Sequence, residues 1–282
     1  LALGKKLYDL AERLGERAEA LLHPYAFPGR GRPLPPVVLI TLPKAGSIFI
    51  HGAIRRTLRV PMLKVSYAVT FGTTFDYDRL VKLSKGNAVC REHFTADDFL
   101  VEAFRREGIR RIVIHVRDPR SATLSWTRNM DRTVRDQGMT GTMLHCQQLV
   151  PEAYEGWDFQ RRLAWQVEHT LPRYVAWIAD WLALIDRTPG VEFLVTTYEE
   201  FAADNRAFIE RLLEFFNIPH ERSWISIPDY RVGHNNVFHV TSKSTREEMG
   251  EALYRQASAM IPEALLRRFG WPGIDQPTAK AG

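Results

Sequence analysis

Cysteine is nearly absent: the chain has two, Cys90 and Cys146, in 282 residues. Two thiols cannot form a disulfide framework, and neither lies in a Cys-x-x-Cys pair. This excludes a disulfide-stapled mini-domain, a zinc ribbon and a dithiol redox motif. With no oxidised scaffold to maintain, a reducing compartment, the cytoplasm, is the expected location. No apolar run reaches 18 residues, so no transmembrane segment is expected. A dense block of basic charge is also missing. Lys and Arg number 38 against 33 Asp and Glu, a net charge of +5 with pI about 9.3. The arginines are scattered rather than gathered into an arm, which argues against a nucleic-acid partner and for a small substrate bearing several phosphates. The first residue is Leu1, which leaves open an upstream targeting segment.

What is present fits one large α/β domain: 45% hydrophobic residues and 25% charged, with no internal repeat. Residues 1–35 read as an N-terminal amphipathic helix followed by a Pro/Gly/Arg-rich linker. The apolar stripe Leu3, Leu7, Leu10, Leu14, Ala18, Leu21 can face the main domain, a second copy in a homodimer or a membrane surface. Residues 36–272 form the domain, and 273–282 a flexible tail. Strand-like runs occur at Val37–Thr41, Met62–Tyr67, Asn87–Cys90, Arg111–Val116 and Val191–Thr196. Helical periodicity separates or follows them near 76–84, 97–107, 119–135, 159–185, 199–216 and 262–269. This alternation predicts a central parallel sheet flanked by helices on both faces.

The first strand runs into Leu42-Pro43-Lys44-Ala45-Gly46-Ser47-Ile48 and then into a helical pattern. A strand, a tight glycine turn and a helix aim free backbone N–H groups at an anion. Lys44 adds a full positive charge and Ser47 a hydroxyl donor. An ordinary strand-to-helix turn with a serine cap is the plain alternative. A nucleoside-triphosphate loop has its lysine after the last glycine, followed by Ser or Thr for magnesium. Here Lys44 precedes Gly46 and Ile48 follows Ser47. A second strand, Ile112-Val113-Ile114-His115-Val116, ends at Arg117-Asp118-Pro119, with Ser125 two turns into the helix that Pro119 opens.

These two motifs, in this order and each at a strand end, resemble those of the sulfotransferases that use 3′-phosphoadenosine 5′-phosphosulfate (PAPS). Lys44 to Ile48 are similar to the family's 5′-phosphosulfate loop, commonly Pro-Lys-Ser/Cys-Gly-Thr-Thr, with Ala45, Ser47 and Ile48 departing from it. Arg117 and Ser125 match its 3′-phosphate motif. The resemblance implies a P-loop-like fold and transfer of a sulfuryl group to a hydroxyl or amine acceptor, leaving 3′,5′-adenosine bisphosphate (PAP), with no metal required. It implies that Lys44 stabilises the leaving group, that Tyr198 in Thr197-Tyr198-Glu199-Glu200 lies near the adenine, and that Lys243 closes over the 3′-phosphate. His93 in Arg91-Glu92-His93 is similar to the Lys-x-His stretch that supplies the general base, with Glu92 in reserve. For each of these, a purely structural role is the alternative. Two other readings stand beside the sulfotransferase: a small-molecule kinase with a degenerate loop, and a non-catalytic nucleotide or polyanion binder. The acceptor, a small molecule, glycan or lipid, is expected among Phe71, Phe75, Tyr77, Met139, Met143, Tyr154 and Trp157.

Overall fold

The computed structural model describes residues 34–67, 71–146, 148–227 and 244–274. Four strands, β1 (Val37–Thr41), β2 (Val89–Glu92), β3 (Arg111–Val116) and β4 (Glu192–Thr197), form one sheet in the order β2-β1-β3-β4. All three pairings are parallel. The strands are short and β-branched, and a parallel sheet buried on both faces accepts such uniformly apolar runs. Every residue of β1 is buried.

Side-chain alternation along β1 splits the core into two clusters. Val38 and Ile40 join Cys90, Ile112 and Ile114 beneath α3 (Asp98–Arg106), α4 (Pro119–Cys146), α5 (Phe159–His169) and α6 (Leu171–Asp186). Val37 and Leu39 join Val89 and Val113 against α1 (Ser47–Leu58) and α8 (Asn205–Phe215). The smaller helices are α2 (Tyr77–Ser84), α7 (Tyr198–Ala203), α9 (Thr245–Met249), α10 (Glu251–Ala259) and α11 (Glu263–Phe269). Among the described residues no helix is long and apolar enough to cross a membrane. The stripe in residues 1–33, Lys243 and most of the tail lie outside the described residues.

Three expected helices differ from the observed ones, each for a local reason. The run 159–185 is two helices, because Pro172 in the first turn of α6 cannot continue a helix arriving from α5. The run 199–216 breaks at Asp204, which adopts extended geometry and caps α8 through bonds from the N–H groups of Arg206 and Ala207. The helix expected over 119–135 continues to Cys146 through a kink at Gly138, whose φ of 71° suits glycine.

The expected strand at Met62–Tyr67 is not one. Only isolated bridges form there, Met62 with Val89 and Ser66 with Phe75. The reason is Glu92. Its carboxylate, 3% exposed as a residue, accepts from the N–H groups of Val65 at 2.5 Å and Ser66 at 2.9 Å, and from the Ser66 hydroxyl at 2.5 Å. A side chain has taken the donors that a neighbouring strand would have used. Both oxygens of Glu92, the reserve base of the sequence reading, are engaged in holding this segment. Replacing Glu92 with Ala strands three buried donors. We expect Glu92→Ala to lower unfolding stability by about 3 kcal/mol in urea, with Glu92→Gln milder because one acceptor oxygen survives.

Candidate active site

All four strands end at one edge of the sheet, and each carries a candidate residue there: Lys44 and its loop after β1, His93 after β2, Arg117 after β3 and Tyr198 after β4. The order β2-β1-β3-β4 places the switch point of the sheet between β1 and β3, the crevice where open α/β sheets bind ligands.

The loop backbone is unusual. Lys44 has a φ of 67° and Gly46 a φ of 77°. A lysine held left-handed costs about 1–2 kcal/mol, so the surroundings must hold it in place. They do: Arg117 Nη1 donates to the Lys44 carbonyl at 2.9 Å, and the Ala45 N–H donates to the Leu42 carbonyl at 3.2 Å. Gly46 is required twice over. Beyond its φ, a Cβ there would lie 2.7 Å from the Tyr198 ring. The opposite side of this packing is a cation–π contact, with the Arg117 guanidinium 4.1 Å from the Tyr198 ring centroid. Tyr198 is therefore a wall shared by the loop and the arginine. The Arg117 guanidinium thus meets the loop at the Lys44 carbonyl, while the Lys44 ammonium reaches Asn129.

Other groups complete the lining. Arg91 Nη1 donates to the Ser47 hydroxyl at 3.1 Å, which leaves the Ser47 proton free to donate elsewhere. Lys44 Nζ lies 3.3 Å from Asn129 Oδ1, which also accepts from Arg132. Burial and the charge of Arg117 lower the pKa of Arg128, so two guanidinium groups are neighbours here. Arg128 is ion-paired with Glu248 of α9. Ser121 and Thr245 share a hydroxyl–hydroxyl bond of 2.6 Å that docks α9 on α4, so α9 starts beside the helix that follows Arg117. Ser125 is half-buried on α4. Asn129, Arg128 and Arg132 escaped the sequence reading. Their signal was helical spacing: 121, 125, 128/129 and 132 fall on one face counted from Arg117. Ile48 stands 45% exposed in the first turn of α1, where the resembling family places a hydroxyl.

His93 Nδ1 lies 2.6 Å from the Thr41 carbonyl. A carbonyl only accepts, so Nδ1 carries the proton and Nε2 keeps its lone pair. Burial, then Arg91, holds the His93 pKa down to about 3, with Lys44 and Lys64 adding to the effect. Asp118 is structural. Its carboxylate receives Arg120 Nη2 at 2.7 Å, a fully buried guanidinium that also reaches Ser258. Of the aromatics expected around the acceptor, Tyr154 is fully buried and Tyr77 is exposed with its hydroxyl on Glu107. Phe71 packs edge-on to Tyr174, and Trp157 lies against Tyr154. Among the described residues, no three His, Cys, Asp or Glu side chains gather as a metal site would require.

Buried His115 and half-buried His51 and His93 have depressed pKa values, His51 and His93 at about 3 and His115 at about 4, each chiefly through desolvation. The unfolded chain binds protons at these sites below about pH 6.5 while the folded chain does not. Their contribution is therefore complete above pH 6.5 and is lost as pH falls toward 3–4. We expect the urea midpoint to drop between pH 7.5 and 5.5 by the equivalent of roughly 1 kcal/mol per histidine. A midpoint that stays flat over this interval contradicts the assignment of neutral buried rings.

No protein-family model matches the chain, and no curated protein does. Several solved structures are similar to it. A sulfotransferase from Alicyclobacillus acidocaldarius is 16% identical with a TM-score of 0.45, over 83% of this chain and 96% of that one. A retinol dehydratase in complex with retinol and PAP is 14% identical with a TM-score of 0.49, over 85% and 84%. A mouse sulfotransferase in complex with PAP is 14% identical with a TM-score of 0.45, over 78% of this chain and 65% of that one. The chain thus spans just under two thirds of the mouse protein's length.

Proposed function

We propose that this chain is a sulfotransferase that moves a sulfuryl group from PAPS to a hydroxyl or amine acceptor. The observation that carries the reading is the 2.9 Å bond from Arg117 to the Lys44 carbonyl. It supports the reading because it ties the guanidinium that would hold one phosphorylated end of the nucleotide to the loop that would hold the other. The lining fits a polyanion. Arg117 Nε and Arg91 Nε are buried with no partner among the described residues, although buried polar groups are almost always paired. Lys44, Arg91, Arg117 and Arg128 together crowd positive charge that a bound bisphosphate would neutralise.

In this reading PAPS supplies an activated sulfuryl group with a phosphate leaving group. The loop amides and Lys44 would hold the 5′ end and meet charge developing on the leaving oxygen. Arg117, with Ser125 and Lys243, would hold the 3′-phosphate. Tyr198, already stacked on Arg117, would border the adenine. His93 is fixed in the tautomer that can accept a proton at Nε2, the role of a general base worth roughly 10²–10⁴-fold. Its basicity is suppressed first by burial and then by Arg91, Lys44 and Lys64, and an anion bound among those cations would relieve the second part. Base strength would then rise when the donor is in place. The acceptor is a small molecule, glycan or lipid hydroxyl presented to that nitrogen.

Calorimetry with PAP in the absence of magnesium checks the donor assignment. Tight binding and a raised Tm are expected, and preference for magnesium-ATP would favour a kinase instead. Binding without turnover on any acceptor, in a screen with labelled donor, would mark a non-catalytic binder. Once an acceptor is in hand, Lys44→Ala should abolish transfer with the fold intact, and His93→Ala should slow turnover at least about a hundredfold with little change in donor affinity. By NMR, the His93 titration midpoint should move upward on PAP binding.

A further inference from the structure

We infer that His115 is a positioning residue for the anion-binding loop, fixing from inside the sheet the direction in which the Gly46 amide points; the role rests on the donor site proposed above. Thr41, His115 and Thr196 are register partners across β1, β3 and β4 and form one row at the sheet's carboxyl edge. His115 is 1% exposed, too deep to meet a substrate. Both of its ring nitrogens are engaged, Nε2 at 2.8 Å from the Ala45 carbonyl and Nδ1 at 2.8 Å from the Thr196 hydroxyl. Since the carbonyl can only accept, Nε2 carries the hydrogen and Nδ1 accepts from Thr196. The carbonyl thus selects the tautomer, and the Thr196 hydroxyl, able to donate or accept, meets it by donating to Nδ1 and steadies the ring. Phe208 of α8 packs edge-on to the ring at 5.6 Å and holds its plane.

The consequence follows from peptide geometry. A trans peptide is planar, so its C=O and N–H point in opposite directions. Drawing the Ala45 carbonyl down onto His115 turns the Gly46 N–H away from the sheet interior. The preceding peptide is fastened independently, its carbonyl by Arg117 and its N–H by Leu42. Of the four polar groups in these two peptides, three are tied into the protein. The fourth, the Gly46 N–H, has no partner among the described residues. The loop's anion-facing donor is therefore oriented before any ligand arrives, and His115 orients it. Without that bond the Ala45–Gly46 peptide could turn over, and its carbonyl would repel the anion that its amide attracts.

The test compares two ligands that differ only at the end of the nucleotide this loop holds. PAP carries both phosphates, whereas adenosine 3′-monophosphate lacks the 5′ one. His115→Phe keeps a flat ring against Phe208 and removes the donor. We expect it to weaken PAP binding by about tenfold or more, as for loss of one charge-assisted bond, while binding of adenosine 3′-monophosphate, followed by NMR at millimolar concentration, stays within about twofold. His115→Gln, which carries an amide donor on a chain of similar reach, should restore most of the loss. Should His115→Phe fail to fold, Thr196→Val tests the same claim by removing the hydroxyl that steadies the second ring nitrogen, with a smaller change of the same selectivity expected. Equal loss of both ligands, or no loss of either, overturns the inference. Failure of the unmodified chain to bind PAP would instead strike the proposed function, so the two claims fail separately.

Discussion

The site depends on a hydrogen bond between the ends of two neighbouring strands, from the Arg117 guanidinium to the Lys44 carbonyl. Parallel pairing of β1 and β3 brings both strands to the same edge in register, so an arginine just past one strand reaches the loop just past the other. That contact stabilises a lysine in a backbone conformation that L-residues avoid. It sets the guanidinium on Tyr198, and Tyr198 in turn leaves room only for glycine at position 46. Loop, arginine, tyrosine and glycine are mutually required, and changing any one disturbs the others.

This arrangement sacrifices stability locally. Like charges are brought together, two guanidinium nitrogens are buried without acceptors among the described residues, and a histidine is held far below its normal basicity. Each of these is unfavourable in the free protein, and each would be relieved by the multiply charged ligand proposed above. Sites that violate the rules of interior packing in a concerted way are where function concentrates. The scaffold compensates elsewhere, through the pairing of the fully buried Arg120 guanidinium with Asp118 and the Glu92 carboxylate that ties down residues 65 and 66.

Much of this was legible in the chain itself. The β-branched runs at 37–41 and 111–116 were found with their observed ends, because a buried parallel strand followed by Pro-Lys or Arg-Asp-Pro leaves a sharp boundary. The helix-to-helix breaks at Thr170 and Asp204 were obscured because periodicity continues across them, although Pro172 and the capping power of Asp204 marked both. Residues 62–67 read as a strand because propensity cannot reveal that a distant glutamate will take their N–H groups. The role proposed for His115 was hidden for a similar reason. Its importance lies in reaching a carbonyl 70 positions earlier in the chain, a contact created by sheet order alone. Asn129 and Arg128 were recoverable from helical spacing, but only once Arg117 had been taken as the reference point of that face.

A crystal structure of the chain with PAP would test the central claim most directly. The account predicts the 5′-phosphate on the amides of Gly46 and Ser47 beside Lys44, and the 3′-phosphate on Arg117. A nucleotide bound at another edge of the sheet, or one whose two phosphates fail to engage both the loop and Arg117, would contradict it.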